Sequence, residues 1–133
     1  ALRYSFTRGA VLPLLRGASA KALLPYLPKP AVERAMDRAG FRGEARQQLW
    51  DDIDRIARQG FAESQGEVDA GVWAVGVPIF GPRDELLGAL SIIVPVARLD
   101  PARRTRFIQQ ALSAAHRITA IAQRHMPPSR QSA

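Results

Sequence analysis

The sequence has 133 residues, 47% of them hydrophobic, and carries 19 Lys and Arg against 12 Asp and Glu for a net charge of +7. That length fits one domain with its own core and is too short for two large ones, and the absence of cysteine excludes disulfides, thiolate metal sites and a cysteine nucleophile. The longest nearly apolar stretch, Leu86 to Ala97, falls well short of the roughly 18 to 20 residues a membrane span needs, so a soluble protein is expected.

The first fifteen residues are mixed. Tyr4-Ser5-Phe6-Thr7 and Ala10-Val11-Leu12 read as one strand or two short ones broken at Arg8-Gly9. Arg3 and Arg8 ahead of the apolar run Ala10 to Leu15 imitate a secretory signal, but the run is short, is broken by Pro13 and is followed by Arg16, so a signal peptide is not the reading. Gly17-Ala18-Ser19 leads into Ala20-Lys21-Ala22-Leu23-Leu24, a helix that starts near Gly17 to Ser19 and stops before Pro28, with Pro25 forcing a kink or an early end. Pro30 suits the first turn of a second short helix through Arg38, broken at Gly40 and Gly43.

Glu44 to Gln59 is strongly amphipathic, with Leu49, Ile53, Ile56 and Ala57 on one stripe and Asp51, Asp52, Arg55 and Arg58 facing away. Gly60 stands where a left-handed cap is wanted, and Phe61 to Gln65 reads as a short strand. Val72 to Phe80 and Leu86 to Val94 flank the polar turn Gly81-Pro82-Arg83-Asp84-Glu85 as a β-hairpin. By alternation, Trp73, Val75, Val77 and Ile79 share one face with Leu90, Ile92 and Val94, while Ala74, Gly76, Ala89 and Ser91 share the other. Neither face is polar, so both must be covered. The small residues either let a helix approach closely or frame a ligand cavity. Asp100 as N-cap and Pro101 at the first helical position open a last helix to about Gln123, ended by Pro127-Pro128.

Few residues could carry catalysis. Gly17-Ala18-Ser19-Ala20-Lys21 lacks the second glycine of a nucleophile elbow, and Ser19 and Lys21 do not have the S-x-x-K spacing. His116 and His125 have no carboxylate three or four residues away, which supports neither metal ligation nor general-base work. Glu67 and Asp69 sit in a glycine-flanked turn and read as fixing its geometry. No phosphate loop or dinucleotide fingerprint is present. Arginines are spread beside acids, and Arg103-Arg104-Arg106 has no interleaved aromatic, so the charge reads as a solvated surface rather than a nucleic-acid site. What remains is a binding feature: if Gly17-Ala18-Ser19 faces the small-residue side of the hairpin, its free backbone N–H groups could hold a small carboxylate over Ala74, Ala89 and Ser91.

Four stretches in order resemble one family. They are Leu12-Pro13-Leu14-Leu15-Arg16-Gly17-Ala18-Ser19-Ala20-Lys21-Ala22-Leu23-Leu24, then Ile56-Ala57-Arg58-Gln59-Gly60-Phe61-Ala62 with Glu67 and Gly71 after it, then Val77-Pro78-Ile79-Phe80, and Gly88-Ala89-Leu90-Ser91 ending in Arg98-Leu99. Together they cover about residues 9 to 124 and resemble the effector-binding domain of IclR-type transcriptional regulators. The resemblance implies an α+β, GAF-like fold, a curved antiparallel sheet flanked by helices, that binds small organic acids. It also implies that Gly17 and Ala18 supply amides while Ser64, Ala74, Ser91 and Ile93 line the pocket. Three positions depart from the family's habit: no acid at Ser64, no polar residue at Ala74 and no second serine at Ile93, so a less polar effector is expected, an aromatic or branched carboxylate.

The expectation is thus an effector-binding domain over residues 1–125, lacking the family's first strands, and a disordered tail over 126–133. Its ligand-binding residues would be Gly17, Ala18, Ser19, Ser64, Ala74, Ala89, Ser91 and Ile93, with no catalytic residue, metal or cofactor. Its partners would be a small-molecule effector, DNA only through a winged helix-turn-helix domain outside this sequence, and further copies of itself as a homodimer or homotetramer, in the cytoplasm. The alternatives are a small serine-dependent hydrolase using Ser19 or Ser91, and a GAF-like interaction module whose hairpin face is filled.

Overall fold

A computed structural model describes residues 7–127. The chain folds as helix α1 (Ala18–Leu23), a 3-10 turn (Leu24–Tyr26), α2 (Lys29–Ala39), α3 (Gly43–Gln59), β1 (Ala62–Gln65), β2 (Val72–Phe80), β3 (Leu86–Pro95), a second 3-10 turn (Val96–Arg98) and α4 (Pro101–His125). The strands form one antiparallel sheet in the order β1-β2-β3, so the fold is α+β, as expected.

Local chemistry sets the ends of these elements. Pro25 lies inside the 3-10 turn that follows α1, where its missing N–H costs little. Gly40 and Gly60 close α2 and α3 in the left-handed conformation that a side chain would resist. The Asp100 carboxylate accepts from Arg103 N–H at 2.8 Å and caps α4, which runs two residues beyond the expected Gln123.

One expectation fails. Ala10 to Leu12 is not a strand: Ala10 N–H donates to the Thr7 carbonyl at 2.9 Å in a turn, Gly9 has φ +82° and the Val11 side chain is 97% exposed. Among the described residues no strand lies beside them to satisfy a ladder. The rest of the expected strand, Tyr4 to Phe6, lies outside the described residues, as does most of the expected tail, 128–133.

The two faces of the sheet are covered differently. Trp73, Val75, Val77, Ile79 and Val94 pack against Ile108, Ala111 and Ala115 of α4 in the largest core cluster, with Leu90, Ile92 and Phe107 at its margin. A hydrogen bond from Phe80 N–H to Thr119 Oγ1 at 3.2 Å ties the end of β2 to the same helix. On the opposite face lies α1. A Cβ at Gly76 would stand 2.4 Å from the Ala18 carbonyl oxygen, so this glycine is what allows the α1 backbone to rest on the sheet. A second cluster (Leu15, Leu24, Val32, Ala35, Met36, Leu49, Ile53) joins α2 and α3 to the first 3-10 turn, and Arg46 of α3 bridges Glu33 and Asp37 of α2.

β1 is fastened to α4 by an ionic network. Glu63 accepts from Trp73 Nε1 at 3.0 Å and from Arg104 Nε at 2.7 Å, with Arg104 Nη2 as a further donor. Burial pushes the Glu63 carboxyl up, but the hydrogen bonds from Arg104 and Trp73 outweigh it together and hold the group below its ordinary value.

Candidate effector site

The small-residue face is filled at one point and leaves a cleft at another. At Gly76 the helix backbone fills the space, whereas at the Ala74 end, where Ala74 pairs with Ile93 and Ser64, α1 begins and a cleft remains. The cleft is lined by Gly17, Ala18, Ser19, Ser64, Ala74 and Ile93, and it is closed from above by Glu67, Val68, Asp69 and Val72. Its walls are apolar at Ala74, Val72, Val68 and Ile93. In this closed form only about 10 Å³ is free to the centre of a water-sized sphere, space for about one water molecule.

Six of the eight sequence-predicted residues therefore meet at one place. The other two stand apart from its lining. Ser91 is turned toward the helix, where Ser19 Oγ donates to Ser91 Oγ at 3.0 Å, one step from the cleft. Ala89 packs against Ala22, Ile56 and Ala62 in a third core cluster and is not among the residues that line the cleft. Alternation puts Ala89 on the right face but cannot say how far along the strand α1 and α3 extend, and here Ala22 and Ile56 of these helices pack against it, leaving it partly buried.

The residues that the sequence reading left out are Lys21 and the loop between β1 and β2. Glu67 Oε1 accepts from Gly17 N–H at 3.3 Å and Glu67 Oε2 pairs with Lys21 Nζ at 2.7 Å. The Glu67 carbonyl accepts from Arg16 Nε at 3.1 Å and Nη2 at 2.6 Å. Val68 seats a methyl 2.9 Å from where a Gly17 Cβ would be, and Gly17 itself has φ +87°. A side chain at position 17 would be both strained and in collision. The turn reading of Glu67 and Asp69 is correct as to place, but both also face the cleft.

The hydroxyl of Ser19 is committed to Ser91, and neither histidine lines the cleft. Among the described residues there is no group of three or more His, Cys, Asp or Glu side chains that could hold a metal, and none of the helices is long and apolar enough to cross a membrane.

The domain is thus an open antiparallel sheet with α4 against its bulky face and a short helix, α1, beside a cleft on the other. The chain matches the family described as bacterial transcriptional regulator IclR C-terminal over residues 1–120, and it belongs to that family. Its sequence is 28% identical over 120 residues to the uncharacterized HTH-type transcriptional regulator RhmR of Escherichia coli K12, covering 85% of this chain and 46% of that protein. In structure it resembles the C-terminal domain of a transcriptional regulator from Vibrio cholerae, with TM-score 0.77 and 34% identity over 87% of this chain and 70% of the other. It also resembles an IclR transcriptional regulator from Silicibacter sp. TM1040, with TM-score 0.81 and 25% identity over 94% of this chain and 51% of the other. The chain spans less than half the length of the curated relatives it matches, 46% and 43% for the first two.

Proposed function

We propose that this domain senses a small organic acid, an aromatic or branched aliphatic carboxylate, and that in the whole regulator the bound acid alters how a winged helix-turn-helix domain elsewhere in the protein holds DNA. The observation that carries the reading is that the cleft already accommodates a carboxylate. Glu67 lies with one oxygen on Gly17 N–H and the other on Lys21 Nζ, which is the pairing an acidic effector needs. Ala74, Val68, Val72 and Ile93 would meet the body of the acid. A small polar oxoacid would turn its remaining oxygens toward carbon, and each unmade buried hydrogen bond costs about 1–3 kcal/mol.

Sensing is favoured over hydrolysis because Ser19 and Ser91 satisfy each other and neither has a base beside it. Turnover of a simple ester that disappears in Ser19→Ala would overturn that part of the reading. The same proposal takes the regulator to be cytoplasmic and to work as a homodimer or homotetramer, as the resemblance implies. It is tested by a thermal-shift screen of organic acids: a carboxylate that binds the folded domain raises Tm in proportion to the logarithm of its concentration. A panel of aromatic, branched and short carboxylates that leaves Tm unmoved at millimolar concentration would contradict it.

A further inference from the structure

We propose that Glu67 is an internal occupant of the effector's carboxylate position, that it latches the Gly66 to Gly71 loop shut, and that an acid enters only by displacing it from Lys21. The proposal rests on the acid-sensing reading above and adds a binding residue, Lys21, and a gate, Glu67, to it.

Three independent features support a loop that opens. The cleft has room for about one water molecule, whereas any of these acids is several times larger than a water molecule, so something must move before an acid can enter. The elements below the cleft cannot: α1 lies against Gly76 with no slack, and β2 and β3 are paired over their full length. The loop above it can. It is bounded by Gly66 at φ +67° and Gly71 at φ +72°, two residues free to rotate, and neither would have a neighbour within 4 Å of an added Cβ. Both of its ends are pinned to the ladder, by Gly66 N–H to the Val72 carbonyl at 2.9 Å and Val96 N–H to the Gly71 carbonyl at 2.8 Å, so the movement is a hinge of the loop on an unchanged sheet.

The latch consists of the contacts of Glu67. Its side chain holds Gly17 N–H and Lys21, and its carbonyl holds the Arg16 guanidinium. The Lys21 side chain is largely shielded, 14% exposed, and Glu67 pairs with it directly at 2.7 Å, while Glu63 is also within reach of its charge. An incoming carboxylate cannot share this cation and amide with Glu67, because two carboxylates so close repel each other. Entry of the acid and departure of Glu67 are therefore one exchange, and Lys21 is never left without a counter-charge.

The test uses two variants and two readouts. Amide hydrogen exchange of the free protein reports the latch without any ligand: Glu67→Gln and Lys21→Met should both speed exchange over residues 66–71 by about tenfold while α2 and α3 stay unchanged. Calorimetric titration with benzoate, isovalerate, glyoxylate and pyruvate reports the gate, and here the variants should diverge. Glu67→Gln should bind the preferred acid about three to ten times more tightly than the unaltered protein, and Lys21→Met at least ten times more weakly. Unchanged exchange in both variants would overturn the latch whatever the titrations show. Faster exchange with weaker binding in Glu67→Gln would overturn the gate and make Glu67 part of the effector's own cradle. Binding of none of the four acids by any of the three proteins would overturn the acid-sensing reading, and the gate with it.

Discussion

Replacing Gly76 by alanine should lift α1 off the sheet, and the effect can be sized from the structure. The added Cβ would lie 2.4 Å from the Ala18 carbonyl oxygen, 2.6 Å from its carbon and 2.9 Å from Ser19 N. All three are backbone atoms, so no side chain can swing aside. Ordinary contact begins near 3.4 Å, so α1 must retreat by about 1 Å (3.4 − 2.4). Overpacking of this kind costs about 1–3 kcal/mol, offset by the roughly 0.5–1 kcal/mol that alanine gains over glycine within a strand. The net loss of about 0–2.5 kcal/mol corresponds to a fall in Tm of up to roughly 10 °C for a domain of this size. Gly88→Ala on β3 is the matched control, since its Cβ would meet nothing within 4 Å. It should be neutral or raise Tm by a few degrees. The same retreat would stretch the 3.0 Å hydrogen bond between Ser19 and Ser91 and move Gly17 away from the cleft, so Gly76→Ala should also lose acid binding. Thermal unfolding followed by circular dichroism decides the matter. Equal Tm values for the two alanine variants would refute the claim that Gly76 sets the approach of α1.

Glu63→Gln should destabilise the domain by about 1 kcal/mol, the loss of charge-assisted hydrogen bonds discounted because Arg104 is half exposed. The Glu63 carboxyl is held below its ordinary value, so the unfolded chain binds the proton more readily. Its stabilisation is complete above about pH 4.5 and is lost as pH falls through the lowered value. Urea midpoints measured from about pH 7 down to about pH 3 should therefore draw together for the two proteins as the pH falls, and a gap of the same size at both ends would contradict the network. Ala89→Leu should lower Tm by overpacking the Ala22, Ile56 and Ala62 cluster; an unchanged Tm with acid binding abolished would instead put Ala89 at the cleft. Binding of this chain to DNA, driven by its +7 charge, should be non-specific and fall steeply with salt. A salt-resistant preference for one duplex over scrambled controls would show a reading element that the fold does not suggest.

How much of this was legible in the sequence depends on the range of the forces involved. Elements with a local cause appear where the residues put them: the stripe of α3, the Gly60 cap, the Asp100 cap and the hairpin around Gly81 to Glu85. The full and hollow faces of the hairpin follow from alternation alone, and α4 and α1 take the two sides accordingly. The strand expected at Ala10 to Leu12 failed because β propensity needs a neighbouring strand to be expressed. At the site, Gly17, Ser64, Ala74 and Ile93 were reachable through parity and resemblance. Glu67 and Lys21 were not joined, because they are 46 residues apart and their pairing depends on where the loop after β1 lands on α1. The signal that could have found it was the charge sign itself, a lysine three residues into a glycine-led helix and an acid in the loop that must pass over it. Ala89 went the other way, since parity names a face but not how much of it a helix covers.

The most direct test of the account is a side-by-side calorimetric titration of the domain with benzoate, isovalerate, glyoxylate and pyruvate at one pH and salt concentration. The apolar walls at Val68, Val72, Ala74 and Ile93 around a single carboxylate position predict that benzoate or isovalerate binds with the lower Kd and that Lys21→Met raises that Kd at least tenfold. Tighter binding of glyoxylate or pyruvate, or binding of any acid that survives Lys21→Met unchanged, would contradict it.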